Sequence, residues 1–353
     1  MLNSKLIVFF ISLLISNIVL AQTPVQLPEN TGDQYEIYRD NSVSDEFNDK
    51  ILDSEKWGRR NTGGASIQGH ENDASLVIME KEKKNGKTTK YVSIKATAEN
   101  GSPKTAGLVS QAAGFYGFYT VKFRFRGFDT DDVKEKGSVW HPSVWSAIGN
   151  YTNEKKRSSI KNSAFWTEID LMEWENGPNG WSSDAPARFR DSKGVKRKVI
   201  TKGKGAEKAI MTKGPFQTYD PIWQTIGLEY TPEYIKLWQW KNDEWVHMGK
   251  RVVKFVDEDE TNPESKYTIN TIGKNARNPA FWYLGNIVAG YVLEKVEKGI
   301  NKHTINDLSV DFDFFRYYRH KSLENTDWDW ENGLKNGGGE VQKDFSEIET
   351  VKN

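Results

Sequence analysis

The chain advances in short runs of alternating apolar and polar residues, closed by Gly, Asn, Asp or Lys, and nowhere sustains a helical period. A strand turns successive side chains to opposite faces, so each run can offer one face to a core. The clearest runs lie at 75–79, 91–95, 118–125, 223–228, 234–240, 281–288 and 310–318. Many strands spaced like this predict an all-β chain, an antiparallel β-sandwich of the jelly-roll type.

One segment stands apart for its chemistry. Phe165-Trp166-Thr167-Glu168-Ile169-Asp170-Leu171-Met172-Glu173-Trp174 sets three carboxylates among strand-forming apolar and aromatic residues. In a regular strand Trp166, Glu168, Asp170 and Met172 share one face, and Glu173 is one residue out of phase. A β-bulge, which opposes two residues to one, restores Glu173 to the carboxylate face. Two carboxyls about 5–5.5 Å apart are the nucleophile and acid/base pair of a retaining glycosidase. Crowded carboxylates also split their pKa values, leaving one protonated while another is ionised. A solvated strand with scattered acids is the bland alternative, and Leu171 and Met172 argue against it.

Composition narrows the class. Lys+Arg and Asp+Glu balance at 49 each in 353 residues, so no global charge argues for nucleic acid or a membrane surface. Residues 6–20 are almost wholly apolar behind Lys5 and lead into Val19-Leu20-Ala21. This reads as a signal peptide over 1–21, hence a secreted or periplasmic protein. The run is too short to span a bilayer comfortably, and no later segment is apolar enough. Without cysteine the chain has neither disulfides nor a cysteine for lipid attachment, so its core must hold it. Thirteen Trp, fourteen Tyr and seventeen Phe are many for a hydrophilic chain. The excess suits a sugar-binding cleft, because aromatic faces stack on the C–H surfaces of sugar rings. Residues 22–42 read as a polar leader, 43–320 as the domain, and 321–353 as an acidic, Gly-rich tail. Trp328 and Trp330 leave open that the tail packs back on the sandwich.

Six ordered segments then resemble glycoside hydrolase family 16, whose signature is E-I-D-x-x-E. Besides Glu168 to Glu173 they are Asp45-Glu46-Phe47-Asn48 with Lys56-Trp57, Tyr116-Gly117-Phe118-Tyr119, Pro142-Ser143-Val144-Trp145, 227–236, and the closing strands around Tyr283-Leu284-Gly285-Asn286 and Asp313 to Tyr318. The third stands where the family has W-P-A-x-W, with His141 replacing the first Trp. The resemblance covers 43–320 and implies a jelly roll whose concave sheet forms an open cleft, cutting inside polysaccharides with retention. Residue by residue it implies Glu168 as nucleophile, Glu173 as general acid/base, and Asp170 as the hydrogen-bond partner of the nucleophile. It requires no organic cofactor and implies a monomer. It also implies a structural calcium on the convex side, held by an Asp of the last strand, here Asp313.

For substrate, the family offers neutral β-glucans or red-algal galactans. Sulfated galactans need Arg or Lys near the subsites, where charge-assisted and often bidentate bonds form. Residues 193–213 carry eight lysines and arginines against Glu207, and Arg188 and Arg190 precede them. This favours an anionic chain such as carrageenan, furcellaran or porphyran; a merely solubilising insertion is the bland view. Arg59, Arg60 and Asn61 form a second basic cluster at the expected cleft edge. Trp166, Trp145, Trp140 and His141 are the expected cleft side chains, and Trp174 is expected in the core. The alternatives are an endo-β-1,3-glucanase (laminarinase) and a non-catalytic carbohydrate-binding protein.

Overall fold

The structure, a computed structural model, describes residues 27, 35–37, 44–60, 66–67, 70–99, 102–111, 114, 117–127, 140–147, 165–167, 169–174, 182–184, 187–190, 196–199, 222–230, 234–254, 281–288, 308–320 and 341–342. The chain divides into two units, Met1–Asp33 and Gln34–Asn353, and all the elements below lie in the second. Among the described residues these are strands and one 3-10 turn, Ala74–Leu76. That turn takes Ser75 and Leu76 out of the expected first strand, which begins at Val77 instead.

The strands build two large sheets. One, of eleven strands, orders Glu244–Lys254, Tyr234–Lys241, Gln224–Tyr230, Gly117–Arg126, Leu308–His320 and Lys87–Glu99 along its main path. The other, of seven, runs Ser182–Asp184, Ile169–Glu173, Trp140–Ala147, Phe281–Val288, Gly107–Ser110, Trp57–Arg60 and Val341–Gln342. A three-stranded sheet joins Phe165–Thr167, Ala187–Arg190 and Lys196–Val199. The sandwich expected from the strand pattern is therefore present. Hairpins follow local chemistry: Asn85 and Gly86, at φ 52° and 78°, join Val77–Lys84 to Lys87–Glu99 in the two-residue turn that needs positive φ at both positions.

Alternation sorts the side chains. Val121, Phe123 and Phe125 from one sheet and Leu108, Val144, Trp174 and Leu284 from the other are buried in a common core. Asn286 crosses between the sheets, its amide donating to the Ile94 carbonyl at 3.1 Å. The opening motif also serves packing. Asp45 accepts the Trp57 indole N–H at 2.8 Å, and Glu46 accepts two bonds of 2.7 Å from Arg316.

Two short strands outside 43–320 pair with the sandwich. Tyr35–Ile37, inside the expected leader, pairs with the end of Leu308–His320. Val341–Gln342, inside the expected tail, pairs with Trp57–Arg60. An exposed edge of unpaired backbone groups accepts any extended segment in reach. The expected signal peptide and Trp328 and Trp330 lie outside the described residues. No helix among the described residues is long and apolar enough to cross a membrane.

Candidate functional site

The acidic segment is two strands. Phe165–Thr167 pairs with Ala187–Arg190 in the small sheet, whereas Ile169–Glu173 enters the seven-stranded sheet. Within the latter, Asp170 faces Trp145 and Glu173 faces Ser143, three positions against two. The other neighbour repeats the count, with Asp170 opposite Asp184 and Glu173 opposite Ser182. Ile169–Glu173 therefore carries the bulge, and Asp170 and Glu173 share the outer face with Ser143 and Trp145.

The order of residues explains the bulge. Ile169, Leu171, Met172 and Trp174 are all buried in the core. Strict alternation would turn Met172 outward and drive Glu173 inward. Burying Met is worth about 1.5–3 kcal/mol, and an unpaired carboxylate in the core costs several kcal/mol. One unpaired ladder position is the smaller loss. Beyond the bulge, the Trp174 N–H donates to the Pro142 carbonyl at 3.0 Å. The Trp174 indole lies 6.5 Å from that of Trp140.

Register builds the surroundings of the two acids. A first row across the sheet reads Gly58, Val109, Tyr283, Trp145 and Asp170. Trp145 and Tyr283 stack at 4.4 Å with 17° between their planes, and the Arg60 guanidinium lies 5.2 Å from the Trp145 ring centre. The next row reads Gly107, Gly285, Ser143 and Glu173. These glycines keep the floor low: a Cβ on Gly107 would stand 3.1 Å from the Arg60 Cδ. In the row beyond, His141 pairs with Ile287, and its Nε2 lies 3.0 Å from the Glu173 Oε1.

Several expectations change. Trp140 is buried at 0% exposure and does not line the outer face. The Trp140–Ala147 ladder is regular, so residues five apart, such as Trp140 and Trp145, face opposite ways. Arg59 shares the face of buried Trp57 and donates to the Asn72 carbonyl; its neighbour Arg60 occupies the outer face. His141 is on the expected face, but its side chain is only 8% exposed and lies against Glu173, so it is not presented to a sugar. Glu168, Asn61 and the side chain of Trp166 lie outside the described residues. Of the basic insertion, Lys196–Val199 is a strand, with Lys198 opposite Arg188 and Arg188 opposite Trp166.

Asp313, the expected calcium ligand, has a lysine as its neighbour. Asp313 sits at a bulge of the last long strand and its carboxylate is ion-paired with the Lys122 ammonium. Burial pushes its carboxyl up, and Lys122 only partly offsets this. Among the described residues no three acidic, His or Cys side chains group to hold a metal.

Tyr283 and the glycine pair are the site residues that motif reading passed over, whereas Arg60 was expected at the cleft edge with Arg59 and Asn61. Trp57 is buried in the core, and strand phase turns Arg60, three positions on, the other way.

No family model matches the chain, and no curated protein matches it in sequence. Among solved structures it is similar to β-agarase A from Zobellia galactanivorans, at 13% identity and a TM-score of 0.51, over 84% of this chain and 97% of that one. That likeness shows a shared fold, the jelly roll of the family 16 resemblance. Also similar are porphyranase B from Zobellia galactanivorans, with 12% identity, TM-score 0.47 and coverage of 81% and 92%, and a glycoside hydrolase family 16 endo-glucanase from Bacteroides ovatus, with 10%, 0.46, and 78% and 98%.

Proposed function

We propose that the chain is a secreted, endo-acting, retaining glycoside hydrolase of family 16 whose substrate is a sulfated red-algal galactan of the carrageenan, furcellaran or porphyran type. The observation that carries this reading is the bulge at Ile169–Glu173, which sets Asp170 and Glu173 on one outer face. The fold shared with β-agarase A supports it. In the reading, Glu168 attacks the anomeric carbon while Glu173 protonates the leaving oxygen. Water, deprotonated by Glu173, then releases the glycosyl-enzyme, so the configuration is retained. Asp170 hydrogen-bonds the nucleophile between the two. Trp145, half-buried, offers its ring to the sugar chain, and Tyr283, buried against it, holds that ring in place.

Charge supports the substrate class. The hairpin of Ala187–Arg190 and Lys196–Val199 sets Arg188 opposite Lys198 and Arg190 opposite Lys196, next to the strand that leads into the acids. Sulfates are well matched to such cations. One observation favours a neutral β-1,3-glucan instead. Arg59 is turned away and Arg60 is only 6% exposed over its aromatic pair, so the described floor beside Asp170 offers the half-buried Trp145 ring rather than an open cation.

Reducing-sugar release from carrageenans, furcellaran, porphyran, agarose and laminarin in parallel tests the proposal. Cleavage of a sulfated galactan, abolished by Glu168→Gln and by Glu173→Gln and weakened by salt, is the expected result. Activity on laminarin alone removes the galactan assignment. Binding without cleavage makes the protein a carbohydrate-binding module.

A further inference from the structure

We propose that His141 is a positioning residue for Glu173: its Nε2–H donates to Oε1 and leaves Oε2 as the oxygen that gives and takes the proton. The proposal rests on the acid/base reading of Glu173 above. The two side chains meet because of register. Glu173 faces Ser143, and His141 is two positions earlier on that strand, so it projects from the same face at the diagonal neighbour position. The resulting contact, 3.0 Å, is an ordinary hydrogen-bond length.

Exposure assigns the roles. The His141 side chain is 8% exposed and that of Glu173 is 23%, so the carboxyl is reachable from outside and the imidazole sits beneath it. His141 therefore acts through Glu173 and not on the sugar. Both ends of Glu173 are held by neighbouring residues of one strand. The carbonyl of Pro142 accepts the N–H of Trp174, just past Glu173, and His141 holds the carboxyl. Pro142 and His141 themselves are kept in register by Asn286 and Ile287.

The arrangement has a chemical consequence. A glutamate side chain has three rotatable bonds, and a free one spreads its proton over many directions. With Oε1 committed to the imidazole, the proton sits on Oε2, moves to the leaving oxygen as the glycosidic C–O bond breaks, and is replaced from the incoming water. His141 keeps its own proton throughout. Misplacing a reacting group by about 1 Å can cost about 100-fold in rate.

The test compares His141→Gln, whose amide restores an N–H near the position of Nε2, with His141→Leu, which fills the space without a donor. On whichever of agarose, porphyran, carrageenan or laminarin is cleaved, His141→Leu is expected to lose about 10–100-fold in kcat with KM nearly unchanged. His141→Gln is expected to recover most of that. On a 2,4-dinitrophenyl glycoside of the same repeat unit, whose leaving group needs no proton, glycosylation by both variants should match the parent. A structural defect would slow both substrates alike, and that result overturns the proposal. Unchanged kcat in His141→Leu overturns it too. Should His141→Leu fail to fold, His141→Ala carries the same comparison. If Glu173→Gln retains full turnover, it is the acid/base reading of Glu173 that falls.

Discussion

Replacing Gly285 with alanine probes the floor between Arg60 and Glu173. Gly285 has φ 154°, and a Cβ there would stand 2.5 Å from the Gly107 Cα and 2.6 Å from the Ala106 carbonyl oxygen. Both are backbone atoms, so no side chain can swing aside. The Ala106 oxygen is also already engaged, accepting the Asn286 N–H at 3.0 Å. Phe281–Val288 and Gly107–Ser110 must therefore separate locally. Backbone strain of about 1–3 kcal/mol and overpacking of about 1–3 kcal/mol together predict a loss of about 2–5 kcal/mol. For a domain of this size that lowers Tm by of the order of 10 °C. Activity should suffer separately, because Gly285 pairs with Ser143, and Ser143 with Glu173. A displacement carried along that row predicts a fall in kcat of about 100-fold. Urea unfolding and turnover of the cleaved polysaccharide measure the two effects. Gly86→Ala is the control: φ is 78° with nothing within 4 Å, so it costs about 1 kcal/mol and leaves activity unchanged. If Gly285→Ala unfolds within about 0.5 kcal/mol of the parent, the reasoning about the floor is wrong.

Three further outcomes are expected. Trp174→Ala removes a fully buried indole beside the bulge and should cost about 3–5 kcal/mol in urea unfolding; a loss under about 1 kcal/mol would deny the bulge its core anchor. Arg60→Leu takes the cation from over Trp145 and Tyr283 and should raise KM several-fold with kcat little changed, whereas an unaltered KM would remove that face from substrate binding. Burial pushes the Glu80 carboxyl up, but Arg126 and Lys95 outweigh it and hold it below its ordinary value of 4.5. A carboxylate lowered in the folded state lends stability that is full above the unfolded value and is lost as pH falls through the folded one. Glu80→Gln should thus flatten the fall of the urea midpoint below pH 4.5, and equal slopes would refute the pairing. Asp45 and Asp313, raised by burial, have the opposite slope in both proteins and cancel in the comparison.

Much of the architecture was legible in the strand-like runs. Alternation at 118–125, 281–288 and 310–318 is a local property of the chain, and each run became a strand of a large sheet. The bulge was legible too, since the acids at 170 and 173 can share a face only if a residue is inserted. Local phase even contained the corrections. Trp140 could not face outward with Trp145, nor Arg59 with Arg60, once one member of each pair was assigned.

What the residues alone determined is which side chains are able to share a face, because alternation depends only on spacing along one strand. Which strands lie side by side was decided by tertiary pairing, between segments far apart in the chain. Only that pairing brings Gly285 beside Ser143, stacks Tyr283 on Trp145 and sets His141 under Glu173. It also answers Asp313 with Lys122, a partner 191 positions away. The physical reason is that a carboxylate leaving water takes whatever cation the packed sheet delivers, and the sheet's order is fixed by burial of the whole core.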